Sequence, residues 1–174
     1  MRVINDIKDI RVRWASVTAI GVFDGVHKAH RRIIKAAIVR ARSLGVKAAV
    51  VTFWPHPRGQ ESLYSLGHRL RILEELGVDL CVVIKFDSNF ARIGPEVFVE
   101  DILCRRLKAA AVYVGENFRF GKNASGDVLT LRRLLKPHHA QVRSFKTLKT
   151  GGIAISSSYI RKLILHGELG LARR

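Results

Sequence analysis

His27 and His30 lie three residues apart in Gly21-Val22-Phe23-Asp24-Gly25-Val26-His27-Lys28-Ala29-His30, the stretch of this chain best suited to chemistry on a phosphate. Residues at i and i+3 share one face of a helical turn, so both imidazoles can donate to the same anion. Val17-Thr18-Ala19-Ile20 precedes the stretch, short and apolar as a buried parallel strand requires. After it, Ile34, Ala37, Ile38 and Ala41 recur at the spacing of one helix face. Gly21 and Gly25 permit a tight turn between the two elements. A strand–turn–helix unit of this kind aims free backbone N–H groups and the positive end of the helix dipole at one point, which suits phosphate. Two surface histidines on a helix end would satisfy a bare H-x-x-H; the surrounding strand and glycines favour the phosphate reading.

The elements that must position this turn follow from the rest of the pattern. Strands are predicted over Val17–Val22, Lys47–Phe53, Leu80–Phe86, Ala110–Gly115 and Gln141–Phe145. Helices are predicted near His30–Leu44, Leu66–Leu76, Pro95–Leu107, Val128–Leu135 and Ser157–His166, with Pro95 placed at a first helical position. Apolar strands alternating with helices predict an α/β fold, a five-stranded, mostly parallel sheet flanked by helices on both faces. Ligands of such sheets bind beyond the carboxyl ends of the strands. The chemistry-bearing loops follow strand ends or open helices, so they are expected on one rim.

Three further motifs belong to those loops. Thr52-Phe53-Trp54-Pro55-His56-Pro57 leaves the second strand as a stiff, proline-bounded segment that cannot continue a sheet interior. Val114-Gly115-Glu116-Asn117-Phe118-Arg119-Phe120-Gly121 leaves a later strand; its alternating Phe118 and Phe120 predict one ring in the core and one free to stack. Ile155-Ser156-Ser157-Ser158-Tyr159-Ile160-Arg161 opens the last helix, so one serine is expected to cap it. Arg161 falls one turn in, where a planar guanidinium can clamp a phosphate.

In this order and spacing the four motifs resemble the FMN adenylyltransferase (FAD synthetase) domain of bacterial bifunctional riboflavin kinase/FAD synthetases, a branch of the nucleotidyltransferase superfamily with a Rossmann-like fold. The resemblance runs from about Val3 to Ala172. It implies FAD synthesis by transfer of AMP from ATP to FMN, with pyrophosphate leaving. The nucleophile is already ionised, so alignment and charge neutralisation matter more than a strong base. By the same resemblance His27, His30, Ser157 and Arg161 would be catalytic, and Gly21, Phe23, Asp24, Gly25, Ser156 and Ser158 would complete the ATP site. Pro55, His56, Pro57, Asn117, Phe118 and Phe120 would hold FMN, Phe120 being favoured for stacking and Gly121–Asp127 for a loop that closes over the flavin. Mg²⁺ is expected with ATP, held by no direct protein ligand, although Asp24 is placed to reach it through water. Ala29 stands where the family's H-x-G-H carries glycine, Asn117 where many relatives have Asp, and Arg69 where lysine is common. Residues 1–174 read as this one domain, with the family's riboflavin kinase domain absent, so conversion of riboflavin to FMN is not expected. The alternatives are an adenylyl- or cytidylyltransferase for another phosphate monoester, and a non-catalytic flavin- or nucleic-acid-binding relic.

Composition bounds these readings. The 174 residues are enough to bury one core. No apolar run approaches the roughly 18 residues of a membrane span, and the N-terminus lacks a signal-peptide core, so a cytoplasmic protein without a membrane partner is expected. Cys81 and Cys104, in no metal-ligand spacing, read as buried free thiols of a reducing compartment. The 31 basic and 14 acidic side chains give a formal charge of +17. Arg31, Arg32, Lys35, Arg40, Arg42, Arg105, Arg106, Lys108, Arg132, Arg133, Lys136 and the Arg173-Arg174 end lie at scattered spacings, mostly on predicted helix exteriors. They form no aromatic–basic repeat, so small phosphate ligands rather than a specific nucleic acid are the expected partners.

Overall fold

The computed structural model describes residues 1–173; Arg174, the last of the basic residues named above, lies outside them. The sheet has six strands, one more than the sequence pattern predicts, in the order β1-β4-β3-β2-β5-β6, and every pairing is parallel. These are β1 (Arg2–Ile4), β2 (Ser16–Ile20), β3 (Lys47–Trp54), β4 (Leu80–Lys85), β5 (Ala109–Gly115) and β6 (Gln141–Phe145). The added strand β1 is three residues long and pairs only with the free edge of β4, Val3 opposite Cys81. It is defined by its neighbour rather than by its own sequence.

Both faces of the sheet are covered. On one face α1 (Lys28–Ser43) and α2 (Leu66–Glu75) pack Ile34, Ala37, Ile38 and Leu73 against Val17, Val50, Cys81 and Tyr113. On the other, α5 (Val128–Leu135) and the segment Pro95–Arg106 pack Leu131, Leu135, Phe98 and Ile102 against Ile20, Val51, Val82 and Val112. Alternate strand residues therefore feed two separate cores, which is why the central strands read as unbroken apolar runs. In Pro95–Arg106 only α4 (Pro95–Val97) is α-helical; Phe98–Arg106 is π-helical, and the Leu107 N–H reaches back five residues to the Ile102 carbonyl. The short helix α3 (Ser88–Ala91), a hairpin of β7 (Lys149–Thr150) and β8 (Ile153–Ala154), and helices α6 (Ser157–Leu165) and α7 (Leu169–Arg173) complete the described chain.

From β2 the chain steps outward through β3 to β4, then returns to lay β5 and β6 on the other side of β2. Strand order thus reverses between β2 and β5. All strands being parallel, the loops after β2, β3, β5 and β6 open on one rim, around that switch point. No described helix is long and apolar enough to cross a membrane. Cys81 is buried and Cys104 half-buried; both are free thiols, pushed up by burial to about 12 and about 11.

Candidate active site

Two cavities meet at the rim. The larger, about 570 Å³, opens between the loops after β3, β4 and β5; the smaller, about 270 Å³, lies over the start of α1 and the end of β6. Asn117, Phe118 and Ser157 line both, so the cavities share a wall.

His27 and His30 line the smaller cavity. The turn that brings them there is conformationally unusual: Phe23, Gly25 and Val26 all have positive φ, at 49°, 74° and 35°. For β-branched Val26 this is a sparsely populated conformation, of the kind that concentrates at functional sites. A side chain on Gly25 would press into Leu63, its Cβ 2.7 Å from Leu63 Cδ1. His27 is the residue before the first turn of α1, in extended conformation, rather than a residue within it. The two imidazole rings stack with centroids 3.6 Å apart, and His30 meets the edge of the buried Phe23 ring at 5.3 Å.

Burial pushes His27 from the usual 6.5 down to about 4, against the pull of Asp24. Burial, then the neighbouring His27 and Arg69, holds His30 well below the ordinary histidine range. Both rings are therefore neutral at pH 7, and both Nδ1 atoms are buried without a hydrogen-bond partner. With Nδ1 closed off, Nε2 is the ring nitrogen left to meet a ligand, and it donates in the Nε2–H tautomer. The pair thus offers N–H donors rather than positive charge.

Asp24 does not face the cavities. It is 1% exposed, and its carboxylate is already occupied. Oδ1 accepts from the Leu63 N–H at 2.9 Å and from Arg69 Nη2 at 3.4 Å, and Oδ2 accepts from Arg161 Nη2 at 2.6 Å. This corrects the expectation of a water-mediated Mg²⁺ contact, because two guanidiniums already neutralise the group. No cluster of His, Cys, Asp or Glu among the described residues is placed to hold a metal ion. Phe23 and Asp24 lie behind the histidines, and with Gly25 they line neither cavity, so these three expected ATP-site residues support the histidine turn without forming the cavity surface.

Arg69, noted in the sequence only as standing where lysine is common, is a buried partner of Asp24. It is fully buried, donating through Nη1 to the carbonyls of Val22 and Phe53 at 3.0 and 3.2 Å, with the guanidinium over the Trp54 ring. The available signal was its phase: in α2 it falls on the same face as Ile72 and Leu73, where a charge needs a buried partner.

Ser156 caps α6, accepting from the Tyr159 N–H at 3.2 Å, as the serine cluster predicts. Ser157 Oγ donates to the Asp24 carbonyl at 2.8 Å, and Ser158 lines the larger cavity. Arg161 also lines the larger cavity, but its guanidinium is engaged inward, donating to the Glu61 carbonyl (2.8 Å), Gln60 Oε1 (3.0 Å) and Asp24 Oδ2 (2.6 Å). In this structure it clamps protein rather than presenting a free phosphate fork.

The larger cavity is aromatic. Six of the eight phenylalanines line it, among them Phe53 of the proline-bounded motif and Phe86, Phe90 and Phe98, to which the sequence pattern assigns no site role. His56 and Pro57 lie in its wall with Gly21, while Pro55 is exposed and lines neither cavity. Phe118 and Phe120 both line it, stacked at 5.4 Å, but Phe120 is 7% exposed and packs on Phe98. Phe120 is thus the core ring and Phe118 the half-buried one, the reverse of the favoured assignment. The loop expected to close over the cavity is pinned: Phe120 and Gly126 exchange both backbone hydrogen bonds, and Gly121 abuts Pro95. Asn117 Nδ2 reaches Thr147 Oγ1 at 3.4 Å, and the methyl of Ala29 lines the smaller cavity.

The FAD synthetase family model matches residues 10–159. A Geobacillus thermodenitrificans protein, provisionally named a bifunctional riboflavin kinase/FMN adenylyltransferase, is 39% identical over 158 residues, covering 88% of this chain and 84% of that one. The bifunctional riboflavin kinase/FMN adenylyltransferase of Escherichia coli is 32% identical over 163 residues; the match takes in 90% of this chain but only 52% of that protein's length. Among solved structures, one described as a macrolide-efflux protein from Streptococcus pneumoniae superposes with a TM-score of 0.81 at 26% identity, over 94% of this chain and 55% of that one. That superposition carries the fold; the efflux description belongs to that protein.

Proposed function

The chain belongs to the FAD synthetase family, and from that premise we propose that it makes FAD by moving the AMP group of ATP onto the phosphate of FMN. The observation that carries this reading is the shared wall: a phenylalanine-lined cavity and a histidine-lined cavity meet at Asn117, Phe118 and Ser157. The isoalloxazine ring enters the aromatic cavity and stacks on Phe118, which leaves the FMN phosphate directed toward the wall. ATP occupies the smaller cavity, its phosphates against His27, His30 and the start of α6.

A phosphate monoester has a second pKa near 6, so the FMN phosphate is largely dianionic at neutral pH and needs no base. One of its oxygens attacks the α-phosphorus, the bond from that phosphorus to the bridging oxygen breaks, and the electron pair leaves with pyrophosphate. His27 and His30 donate N–H groups to the oxygens on which charge builds. Arg32 and Lys146, which line the same cavity, supply the positive charge that the neutral histidines do not. Mg²⁺ arrives on the ATP phosphates as part of the substrate and offsets the charge of the leaving group.

The test is chromatographic. Purified protein with ATP, Mg²⁺ and FMN is expected to yield FAD and pyrophosphate in equal amounts. Protein shown to be folded that yields no FAD above a protein-free control would overturn the reading.

A further inference from the structure

Between the end of β3 and the start of α2, the chain from Pro55 to Leu63 has no regular secondary structure, yet it supplies His56, Pro57 and Gln60 to the larger cavity. Its internal hydrogen bonds are few: the Gly59 N–H donates to the His56 carbonyl, and the Arg58 N–H to His56 Nδ1. Among the described residues, every hydrogen bond leaving this segment ends on Asp24 or Arg161. Leu63 N–H donates to Asp24 Oδ1 at 2.9 Å; Arg161 takes Glu61 and Gln60 at 2.8 and 3.0 Å. The two anchors are joined to each other at 2.6 Å.

The same pair reaches the other cavity. Asp24 begins the turn that ends at His27, and its carbonyl accepts from Ser157 Oγ at 2.8 Å. Arg161 stands one turn into α6, whose opening residues Ser156 and Ser157 line the smaller cavity. A single ion pair, screened from water and charge-assisted, thus ties the flavin-side segment to both walls of the nucleotide side.

We propose that the Asp24–Arg161 pair couples the two cavities, so that flavin and nucleotide each raise the affinity for the other. Asp24 and Arg161 act here as positioning residues. Ordering the Pro55–Leu63 segment costs conformational entropy; whichever ligand binds first bears that cost, and the second binds to a segment already fixed. The coupling rests on the FAD-synthesis reading for the identity of its two ligands, and linkage requires it to be equal in both directions.

The test is a binding cycle on the intact protein with FMN and α,β-methylene-ATP, whose carbon bridge prevents transfer. The dissociation constant of each ligand is measured alone and with the other saturating. The parent protein is expected to show a gain of about fivefold or more, the same in both directions. Arg161→Lys keeps one positive charge but cannot bond Asp24, Gln60 and the Glu61 carbonyl together. It is expected to remain folded, at a lower unfolding temperature, and each ligand's affinity alone is measured anew so that a direct loss of contact drops out of the ratio, while the gain falls below about twofold. A structural weakening would lower both affinities and leave their ratio intact. Independent binding in the parent, or full coupling in a folded Arg161→Lys, overturns the proposal and leaves FAD synthesis standing. Failure of the parent to bind either ligand removes both readings.

Discussion

The imidazole rings of His27 and His30 are stacked face to face, their centroids 3.6 Å apart and their planes 19° from parallel. The two side chains therefore work as one neutral block at the mouth of the smaller cavity. His27 is the less buried member and is placed at the helix entry, so the proposed reaction assigns it the first contact with the reacting phosphate.

Removing that contact is expected to act on the transition state more than on ground-state binding. His27→Ala should lower kcat by about 10²-fold with a modest change in KM for ATP. Steady-state kinetics of FAD formation decide the matter. Turnover within a factor of two of the parent would contradict the assignment.

The neutral state of the pair has a pH signature. In the unfolded chain histidines take up protons near pH 6.5, whereas folded His27 resists protonation down to about 4. Across that interval the unfolded state binds more protons, so stability is fully present above about 6.5 and is lost as pH falls toward 4. A His27→Gln/His30→Gln double variant should show a flatter loss of unfolding temperature over that range. An anion placed against the rings favours their protonated form, so ATP binding near pH 6 should take up protons. Calorimetry in two buffers of different ionisation enthalpy reads the uptake directly; a buffer-independent enthalpy would speak against phosphate at this pair.

Phe118 and Phe120 should separate binding from stability. Phe120 is packed on Phe98 in the core, so Phe120→Ala is expected to cost roughly 3–5 kcal/mol of folding free energy in denaturant titration. Phe118 is half-buried at the shared wall; Phe118→Ala should cost far less stability and weaken FMN binding about tenfold. Equal stability losses for the two variants would contradict the division.

How far the sequence discloses this architecture depends on which interaction decides each element. The strands β2 to β6 and the helices α1, α2, α5 and α6 fall within two residues of the sequence expectation, because apolar runs and periodic stripes report burial directly. Strand β1 carries no such signal: three residues of which only Ile4 is buried, aligned by the backbone of β4. The π-helical Phe98–Arg106 shows apolar residues three to five apart, which an α-helix also tolerates, so the hydrogen-bond shift is invisible in the pattern. At the site, His27, His30, Ser156 and Ser157 are legible from spacing, because a helix start imposes its own chemistry. The engagement of Arg161 with Asp24 is not, because it joins residues 137 positions apart. Phe86, Phe90 and Phe98 were hidden for a different reason: one aromatic ring can serve both core and cavity.

The surplus charge yields a further expectation. Arg32, Arg40, Arg132 and Arg143 surround edge strand β6, held by aromatic rings or neutral side chains without an acidic partner among the described residues. Binding to mixed-sequence RNA or DNA should appear at low ionic strength and weaken steeply with salt, since each neutralised phosphate releases counterions. ATP binding, with directed hydrogen bonds in a cavity, should weaken far less. Sub-micromolar, sequence-selective nucleic-acid binding at physiological salt would contradict this.

Isotope tracing tests most directly whether AMP is transferred at the wall between the cavities. With FMN, Mg²⁺ and ATP labelled at the α-phosphate, the account predicts that label enters FAD one for one; label at the γ-phosphate should appear only in pyrophosphate. Folded protein that leaves the α-label in ATP, or sends the γ-label into the flavin, would contradict it.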